Sequence, residues 1–237
     1  ENMINKIGNY LNIIRRKFKY KRISYSLNAV DLIINYIFKD QIKGVYVDVG
    51  AQHPVSNNNT YLLFKRGWNG VNIDLDKKNI DLFNASRPKD FNLNYAISDT
   101  VGDTDLFFYH DASPINTLSK KVSYRQRAKV KEVKKIKTFP LNHILEKVNF
   151  VGTIDYLNID VEGYENKVLG GLNLKKYKPK VISVEFLDLE MKKLEFKNNN
   201  LSNIINSHLY KTLIDNNYFF INWLHGDLIF VHKDFRD

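Results

Sequence analysis

The chain has 237 residues, of which 43% are hydrophobic and 13% aromatic, and its formal net charge is +10. This length and composition predict a globular α/β domain and exclude a disordered chain. Cysteine is absent, which excludes disulfides and thiolate metal sites, and no apolar run reaches the roughly 18 residues of a membrane span. The sequence has no signal-peptide pattern at its start, so we expect a cytoplasmic protein.

Residues 1–43 are predicted to form two helices that precede the main domain at 44–237. In the first helix, apolar residues recur at helical spacing with basic residues between them. The apolar residues are Ile4, Ile7, Leu11, Ile14 and Phe18. Such a helix could lie on the inner face of an anionic membrane, although more often it packs on its own domain or on a sister subunit of an oligomer. Asn28 is expected to cap the second helix, whose apolar stripe includes Val30 and Ile34.

From residue 44 onwards, short apolar strands alternate with helices, which predicts a parallel sheet with helices on both faces. The strands are expected at 45–49, 71–75, 92–97, 155–160 and 181–186. Two further strands, 218–223 and 227–232, predict an antiparallel hairpin at the end. This ending is typical of Rossmann-like class I methyltransferases that use S-adenosylmethionine (SAM). The predicted fold is therefore of that α/β class, with a mostly parallel seven-stranded sheet and an extra N-terminal helical segment.

An insertion near 105–137 interrupts this alternation, and it begins with an extra strand at 105–109. Residues 120–137 hold nine Lys or Arg and a single acid, Glu132. The basic segment could bind RNA phosphates, but Tyr124 alone is available there for stacking on bases, so a nucleic-acid partner is not favoured. The phosphates of a nucleotide-linked sugar or a charged glycan are the preferred partners.

Ligands of open parallel sheets bind at the carboxyl ends of the strands. Asp48 and Gly50 end the first predicted strand, and Asp74, 24 residues after Gly50, ends the second, where a carboxylate can hold both hydroxyls of a ribose. An adenine would lie at the third strand end, with Ala96, Ile97 and Asp99 as candidate contacts. A dinucleotide pyrophosphate needs several bare backbone amides, whereas SAM needs one close approach of the backbone, so the single glycine favours SAM.

The fourth and fifth core strands add three carboxylates, Asp160, Glu162 and Glu185. Asp160 and Glu185 could hold Mg²⁺ or another divalent cation, one of these acids could be a general base, or they could only order the site and the acceptor. The sequence Asp-Val-Glu-Gly at the fourth strand end replaces the Asp/Asn-Pro-Pro-aromatic motif of DNA and RNA amino-methyltransferases, which favours an oxygen nucleophile. His53, which Pro54 biases towards an extended backbone, is the preferred base.

Three stretches resemble the FkbM-type SAM-dependent methyltransferases, and together they cover roughly residues 44–190. They are "YVDVGAQHP…NNTYLLFKRGWNGVNID", "ASPINTLS" and "IDYLNIDVEGYENKVLGGL…KPKVISVEF". The resemblance implies a Rossmann-like fold and O-methylation of sugars, polyketides or related natural products, often for surface polysaccharides. One subgroup has "GAHHP" after the first strand, and this chain keeps His53 and Pro54 but has Gln52 at the first His.

The resemblance also implies roles for single residues. SAM contacts are implied at Asp48, Gly50, Ala51 and Asp74, and the transferred methyl group is implied to lie beside Asp160 and Glu162. Asn116 and Thr117 are implied to lie on the acceptor side, although their side chains could equally form hydrogen bonds with the backbone of their own loop. We expect a SAM-dependent O-methyltransferase that acts on a hydroxyl of a sugar or surface-polysaccharide precursor. The alternatives are an RNA methyltransferase that uses the basic segment and a non-catalytic module that binds SAM or a nucleotide.

Overall fold

The computed structural model describes residues 3–19, 22–186 and 201–236. The strands in these ranges are β1 (Val45–Val49), β2 (Asn69–Asp74), β3 (Phe91–Asn94), β4 (Ala96–Ser98), β5 (Gly102–Phe108), β6 (Glu132–Pro140), β7 (Tyr156–Ile159), β8 (Val181–Glu185), β9 (Tyr218–Leu224) and β10 (Asp227–His232). The helices there are α1 (Met3–Lys19), α2 (Val30–Ile37), α3 (Tyr61–Lys65), α4 (Lys77–Ser86), α5 (Lys120–Ser123), α6 (Leu141–Lys147), α7 (Glu165–Gly170), α8 (Leu174–Tyr177), α9 (Leu201–Ile205), α10 (His208–Asp215) and α11 (Lys233–Arg236).

Seven strands form one sheet in the order β3-β2-β1-β7-β8-β10-β9. β10 is antiparallel to both of its neighbours, and the other pairings are parallel. The predicted fold, with its mostly parallel seven-stranded sheet and C-terminal antiparallel hairpin, is confirmed. The strand order reverses between β1 and β7, and in open α/β sheets a ligand crevice forms at such a point, outside the carboxyl ends of the strands.

Side chains of the central strands alternate between two faces, and helices cover both. One face packs against α6, α7 and α10 and includes Val47 of β1 and Leu157 of β7. The opposite face packs against α2 and α3 and includes Tyr46 and Tyr156 from the same two strands. The short apolar strands are therefore buried on both sides, which accounts for their hydrophobic sequences.

A row of polar residues crosses the face that α2 and α3 cover. The strand register pairs Asn72 with Asp48, Asp48 with Asn158, and Asn158 with Ser183, and all four residues are buried. The Asn158 amide donates to the Asp48 carboxylate at 2.8 Å, and its carbonyl oxygen accepts from the Ser183 hydroxyl at 2.6 Å. Because buried polar groups need partners, this row favours one register of the four strands.

The fully buried guanidinium of Arg87 lies beside this row. It donates to the hydroxyl of Thr60 at 2.9 Å, the side-chain oxygen of Asn58 at 2.9 Å, the hydroxyl of Tyr46 at 3.2 Å and the main-chain carbonyl of Pro54. The Thr60 hydroxyl in turn donates to Asp48 at 2.9 Å. One buried cation therefore holds the loop that joins β1 to α3.

The insertion forms a second sheet of three strands in the order β4-β6-β5. β5 and β6 are antiparallel, and β4 is parallel to β6. The prediction of one strand at 92–97 is wrong, because the chain changes sheets at Tyr95: β3 pairs with β2, and β4 pairs with β6. Both halves are short, and their sequences do not specify which strand each one pairs with.

Both helices predicted before residue 44 are present as α1 and α2. The prediction that Asn28 caps α2 is wrong, because the N-cap is Ala29, with a left-handed backbone (φ 59°). The Asn28 amide instead donates to Asp227 at 3.1 Å, and the Ser26 hydroxyl accepts from the Val30 N–H at 3.2 Å. Among the described residues, no helix has the length and apolar character needed to cross a membrane.

Arg87→Met is expected to lower the free energy of unfolding by about 3 kcal/mol or more, because it leaves the buried carbonyl of Pro54 without its donor and removes one hydrogen bond each from Asn58 and Thr60. Urea unfolding measures the change. Lys89→Met, two residues away and exposed, is the control and is expected to change stability by less than about 0.5 kcal/mol. Equal stabilities of the two variants would contradict a net contribution of the buried cation.

Candidate functional site

A cavity of about 200 Å³ lies at the carboxyl ends of β1, β2, β7 and β8. Seven carboxylates line it, namely Asp48, Asp74, Asp76, Asp160, Glu162, Glu185 and Asp227. No Lys, Arg or His is among its described lining residues, although the chain as a whole has a net charge of +10. Such a cavity attracts cations and repels phosphates and other anions.

Asp48 lines the cavity but is already fully engaged by the protein. Its carboxylate accepts from the Thr60 hydroxyl at 2.9 Å, the Asn158 amide at 2.8 Å and the Asn58 amide at 3.2 Å. Burial raises the pKa of this carboxyl, and these hydrogen bonds oppose the rise. Asp48 therefore orders the loop after β1, and its predicted contact with a cofactor stays a prediction.

Gly50 is required where the β1 loop passes the end of β7. Its φ is +81°, and a Cβ there would lie 1.7 Å from the main-chain oxygen of Asp160. The main-chain N–H groups of Gly50 and Ala51 both donate to the carbonyl of Ile73, at 2.9 and 3.1 Å. The structure shows a close approach of Gly50 to the neighbouring strand end, and the predicted approach of a ligand to Gly50, which lines the cavity, stays a prediction.

Two aspartates stand at the end of β2. Asp74 accepts from the main-chain N–H groups of Gln52 at 2.9 Å and Asp76 at 2.7 Å, and burial raises its pKa to about 6. Asp76 caps α4 through the Lys78 N–H at 2.9 Å and accepts from the Ala112 N–H at 2.6 Å. Both line the cavity. The sequence interpretation gave Asp76 no role, although an Asp before a helix is a recognisable N-cap.

The residues predicted at the adenine position are only partly brought together. Ala96 and Ile97 line the cavity, as do the neighbouring Leu75 and Tyr95. Asp99 does not line it, because its carboxylate forms an ion pair with Lys167 at 2.8 Å that is partly exposed to solvent. This ion pair lowers the pKa of Asp99 and accounts for its position.

Asp160, Glu162 and Glu185 form an acidic cluster at the cavity, with one carboxylate oxygen of each within 4.8 Å of the other two. Burial, followed by repulsion from the neighbouring carboxylates, raises the pKa of Asp160 and Glu185 well above their usual values. Burial raises the pKa of Glu162 to about 7, with a further contribution from Glu165. Glu162 therefore gains and loses a proton near neutral pH.

The carboxyls of Asp160 and Glu185 lie within hydrogen-bonding reach of each other, and the buried Oε2 of Glu185 accepts from no donor among the described residues. One proton between two adjacent carboxyls relieves their repulsion. The acidic cluster offers the oxygen ligands that Mg²⁺ prefers, so the divalent cation on Asp160 and Glu185 stays a prediction.

The loop after β7 has an unusual backbone. Glu162 has a φ of 53° and Gly163 a φ of 96°. The buried carboxylate of Glu165 accepts from the N–H groups of Val161 at 3.2 Å and Gly163 at 2.9 Å, and the Thr117 hydroxyl donates to the Glu162 carbonyl at 2.7 Å. These bonds hold the Glu162 side chain at the cavity despite the backbone strain. The sequence interpretation missed Glu165, whose signal is an acid in the first turn of a helix.

The predicted acceptor residues serve their own loop. Asn116 lines the cavity, but its side chain accepts from the Tyr109 N–H at 2.9 Å and donates to the His110 carbonyl at 2.9 Å. Thr117 is buried and is not among the lining residues. Both side chains therefore fix the loop at 110–119 in place, and their contact with an acceptor stays a prediction.

His53 is not among the residues that line the cavity, whereas the preceding Gln52 is. Its Nδ1 accepts from the main-chain N–H groups of Val55 at 3.1 Å and Ser56 at 3.0 Å. These two bonds engage that nitrogen in the structure of the loop. The role of His53 as general base stays a prediction, and in the structure its ring stabilises the turn that follows it.

Comparison with models of known protein families matches residues 48–212 to the Methyltransferase FkbM domain, which is more than half of the chain. The protein belongs to the FkbM methyltransferase family. The resemblance seen in the sequence is confirmed, and membership supports methyltransferase activity. The matched range contains every acid of the cavity except Asp227. No curated protein and no solved structure matched.

Part of the basic segment of this FkbM domain lies on β6, in the small sheet. Lys135 pairs with Asp105 of the adjacent β5 at 2.7 Å, and the Lys134 amine lies 3.6 Å from the centre of the Phe108 ring. No residue of 120–137 is among the lining residues. The basic segment is thus a surface outside the cavity, and some of its charge is neutralised locally.

Gly50→Ala should destabilise the FkbM domain more than Gly67→Ala. Both glycines have a left-handed backbone, but a Cβ at Gly67 meets nothing within 4 Å, whereas one at Gly50 collides with the main chain of Asp160. We expect a loss of about 1–2 kcal/mol for Gly67→Ala from backbone strain alone and a larger loss for Gly50→Ala. Urea unfolding of both variants measures the difference, and equal losses would mean that a small shift relieves the contact.

Proposed function

We propose that this FkbM-family methyltransferase uses SAM to methylate a hydroxyl group of a sugar or surface-polysaccharide precursor. The observation that carries the proposal is a cavity at the switch point of the sheet whose charged side chains are all acidic among the described residues. The acidic cluster lies at this cavity and contains a group suited to accept a proton.

The acidic lining fits SAM better than a dinucleotide. A sulfonium and an ammonium group are positively charged and are attracted by the carboxylates, whereas a pyrophosphate is repelled. Asp74, Asp76, Ala96 and Ile97 line the cavity, and we expect the two aspartates to hold the ribose hydroxyls and the two apolar residues to form the wall beside the adenine. When bound, SAM supplies an electrophilic methyl group.

Glu162 is the residue that we assign to proton transfer. The acceptor hydroxyl must lose its proton as its oxygen is methylated, and a base with a pKa near the working pH is the most effective. Glu162, with a pKa of about 7, meets that condition, whereas burial and the neighbouring carboxylates raise the pKa of Asp160 and Glu185 well above their usual values. The Asp160–Glu185 pair can orient the hydroxyl through hydrogen bonds.

The acidic lining also restricts the acceptor. A carboxylate or phosphate next to Glu162 would be repelled, so the group that receives the methyl is a neutral hydroxyl. An acceptor that carries phosphates, as a nucleotide-linked sugar does, would keep them outside the cavity. The basic surface at 120–137 is the part of the domain with the charge to bind them.

Radiolabelled SAM tests the activity directly. The chain is incubated with sugar nucleotides, with surface glycan from the source organism and with total RNA, each with and without EDTA. We expect label in the sugar or glycan fraction, with transfer unaffected by EDTA because Glu162 takes the proton. Label in RNA alone, or SAM binding without transfer to any acceptor, would contradict the proposal. Transfer lost in EDTA and restored by Mg²⁺ would assign Asp160 and Glu185 to a metal.

The pH dependence of kcat tests Glu162. The wild-type rate is expected to rise with pH through about 7, as Glu162 loses its proton. Glu162→Gln should lower kcat by about 100-fold or more and abolish this rise, since general-base catalysis contributes factors of that size. A purely structural role would lower the rate but keep the pH dependence. His53→Ala is measured in parallel and should keep the rise; its loss in that variant would make His53 the base.

A further inference from the structure

The apolar side of α1 is exposed to solvent. Ile4 is 72% exposed, Ile7 54% and Leu11 59%, and Met3 and Tyr10 are exposed as well. At about 100° per residue, these five side chains and Ile14 fall within an arc of roughly 120° around the helix. The expectation that such a helix packs on its own domain is not what the structure shows for these side chains. Their exposure is costly in water and calls for a partner.

Positive charge surrounds this apolar arc. The 17 residues of α1 include five Lys or Arg and no Asp or Glu. On the helical wheel, Lys6 and Arg15 stand about 40° and 20° beyond its two edges, and Arg16 is on the far side. Long basic side chains at such edges can keep their charges in the aqueous headgroup region while the apolar side chains lie deeper.

We propose that α1 binds the surface of a membrane that contains anionic lipids, with its apolar arc at the boundary of the acyl chains. Charge complementarity selects this partner. A second copy of the same helix would cover the apolar arc but would bring together two sets of five positive charges. An anionic surface provides apolar contact and the opposite charge at once.

Such docking would place the methyltransferase where membrane-linked precursors are found. It does not depend on the function proposed above, because it uses residues of α1 alone. No described helix can cross a membrane, so the docking is to one surface of the bilayer.

Vesicle flotation of the full chain tests this proposal. We expect binding to vesicles of 30% phosphatidylglycerol in phosphatidylcholine, at least tenfold weaker binding to pure phosphatidylcholine, and loss of binding as salt is raised. Ile7→Glu/Leu11→Glu, on the apolar arc, should lower the bound fraction at least tenfold. Asn5→Glu/Asn12→Glu makes the same change in charge on the opposite side of the helix and should lower it less than threefold.

Three results would overturn the proposal: no binding to the anionic vesicles, equal losses in the two double variants, or a wild-type dimer that the Ile7→Glu/Leu11→Glu variant converts to a monomer. The last result, measured by light scattering, would make a second copy the partner of α1. Circular dichroism and SAM binding of the variants verify that the domain is folded, and failure of SAM binding in the wild type would affect only the proposed function.

Discussion

A buried guanidinium must have hydrogen-bond acceptors around it, and in this protein the loop above the sheet supplies them. Arg87 is connected to two buried acids through two hydroxyl groups to which its guanidinium donates. The Tyr46 hydroxyl donates to Asp90 at 2.5 Å, and the Thr60 hydroxyl donates to Asp48. From Asp48 the network continues through Asn158 into β7. Removing a member leaves a buried polar group without a partner, so these hydrogen bonds favour a single conformation of the loop. The shape of the cavity depends on that conformation of the loop.

Positive and negative charges lie in different parts of the protein. The chain as a whole has a positive net charge, while the described cavity lining holds acids whose burial favours their protonated forms. A cationic ligand inside the cavity relieves the repulsion among these acids, and a neutral product relieves it less. If SAM is the donor, as proposed, the same electrostatic arrangement favours binding of the positively charged donor and release of the neutral molecule that remains after transfer.

Much of the fold and the acidic ends of its strands could be predicted from the sequence, because apolar runs, their alternation with helices and the final hairpin are local patterns. The division at Tyr95 could not, since it depends on which distant strand each half pairs with. Arg87 precedes a proline and looks like a surface residue, and its burial follows from the packing of two distant segments around it, β1 and the loop that joins β1 to α3. The need for a glycine at Gly50 was recognised, but its cause, the passing main chain of Asp160, became clear only from the structure.

The loop at 110–119 is fastened at both ends of the cavity, to Asp76 through the Ala112 N–H and to Glu162 through the Thr117 hydroxyl. Ser113 and Pro114 lie between these attachments and line the cavity. Their side chains can change in size and polarity while both attachments, and with them the acids of the site, stay in place. Substitutions at these two positions would therefore alter the shape and polarity of the cavity wall without moving the acids.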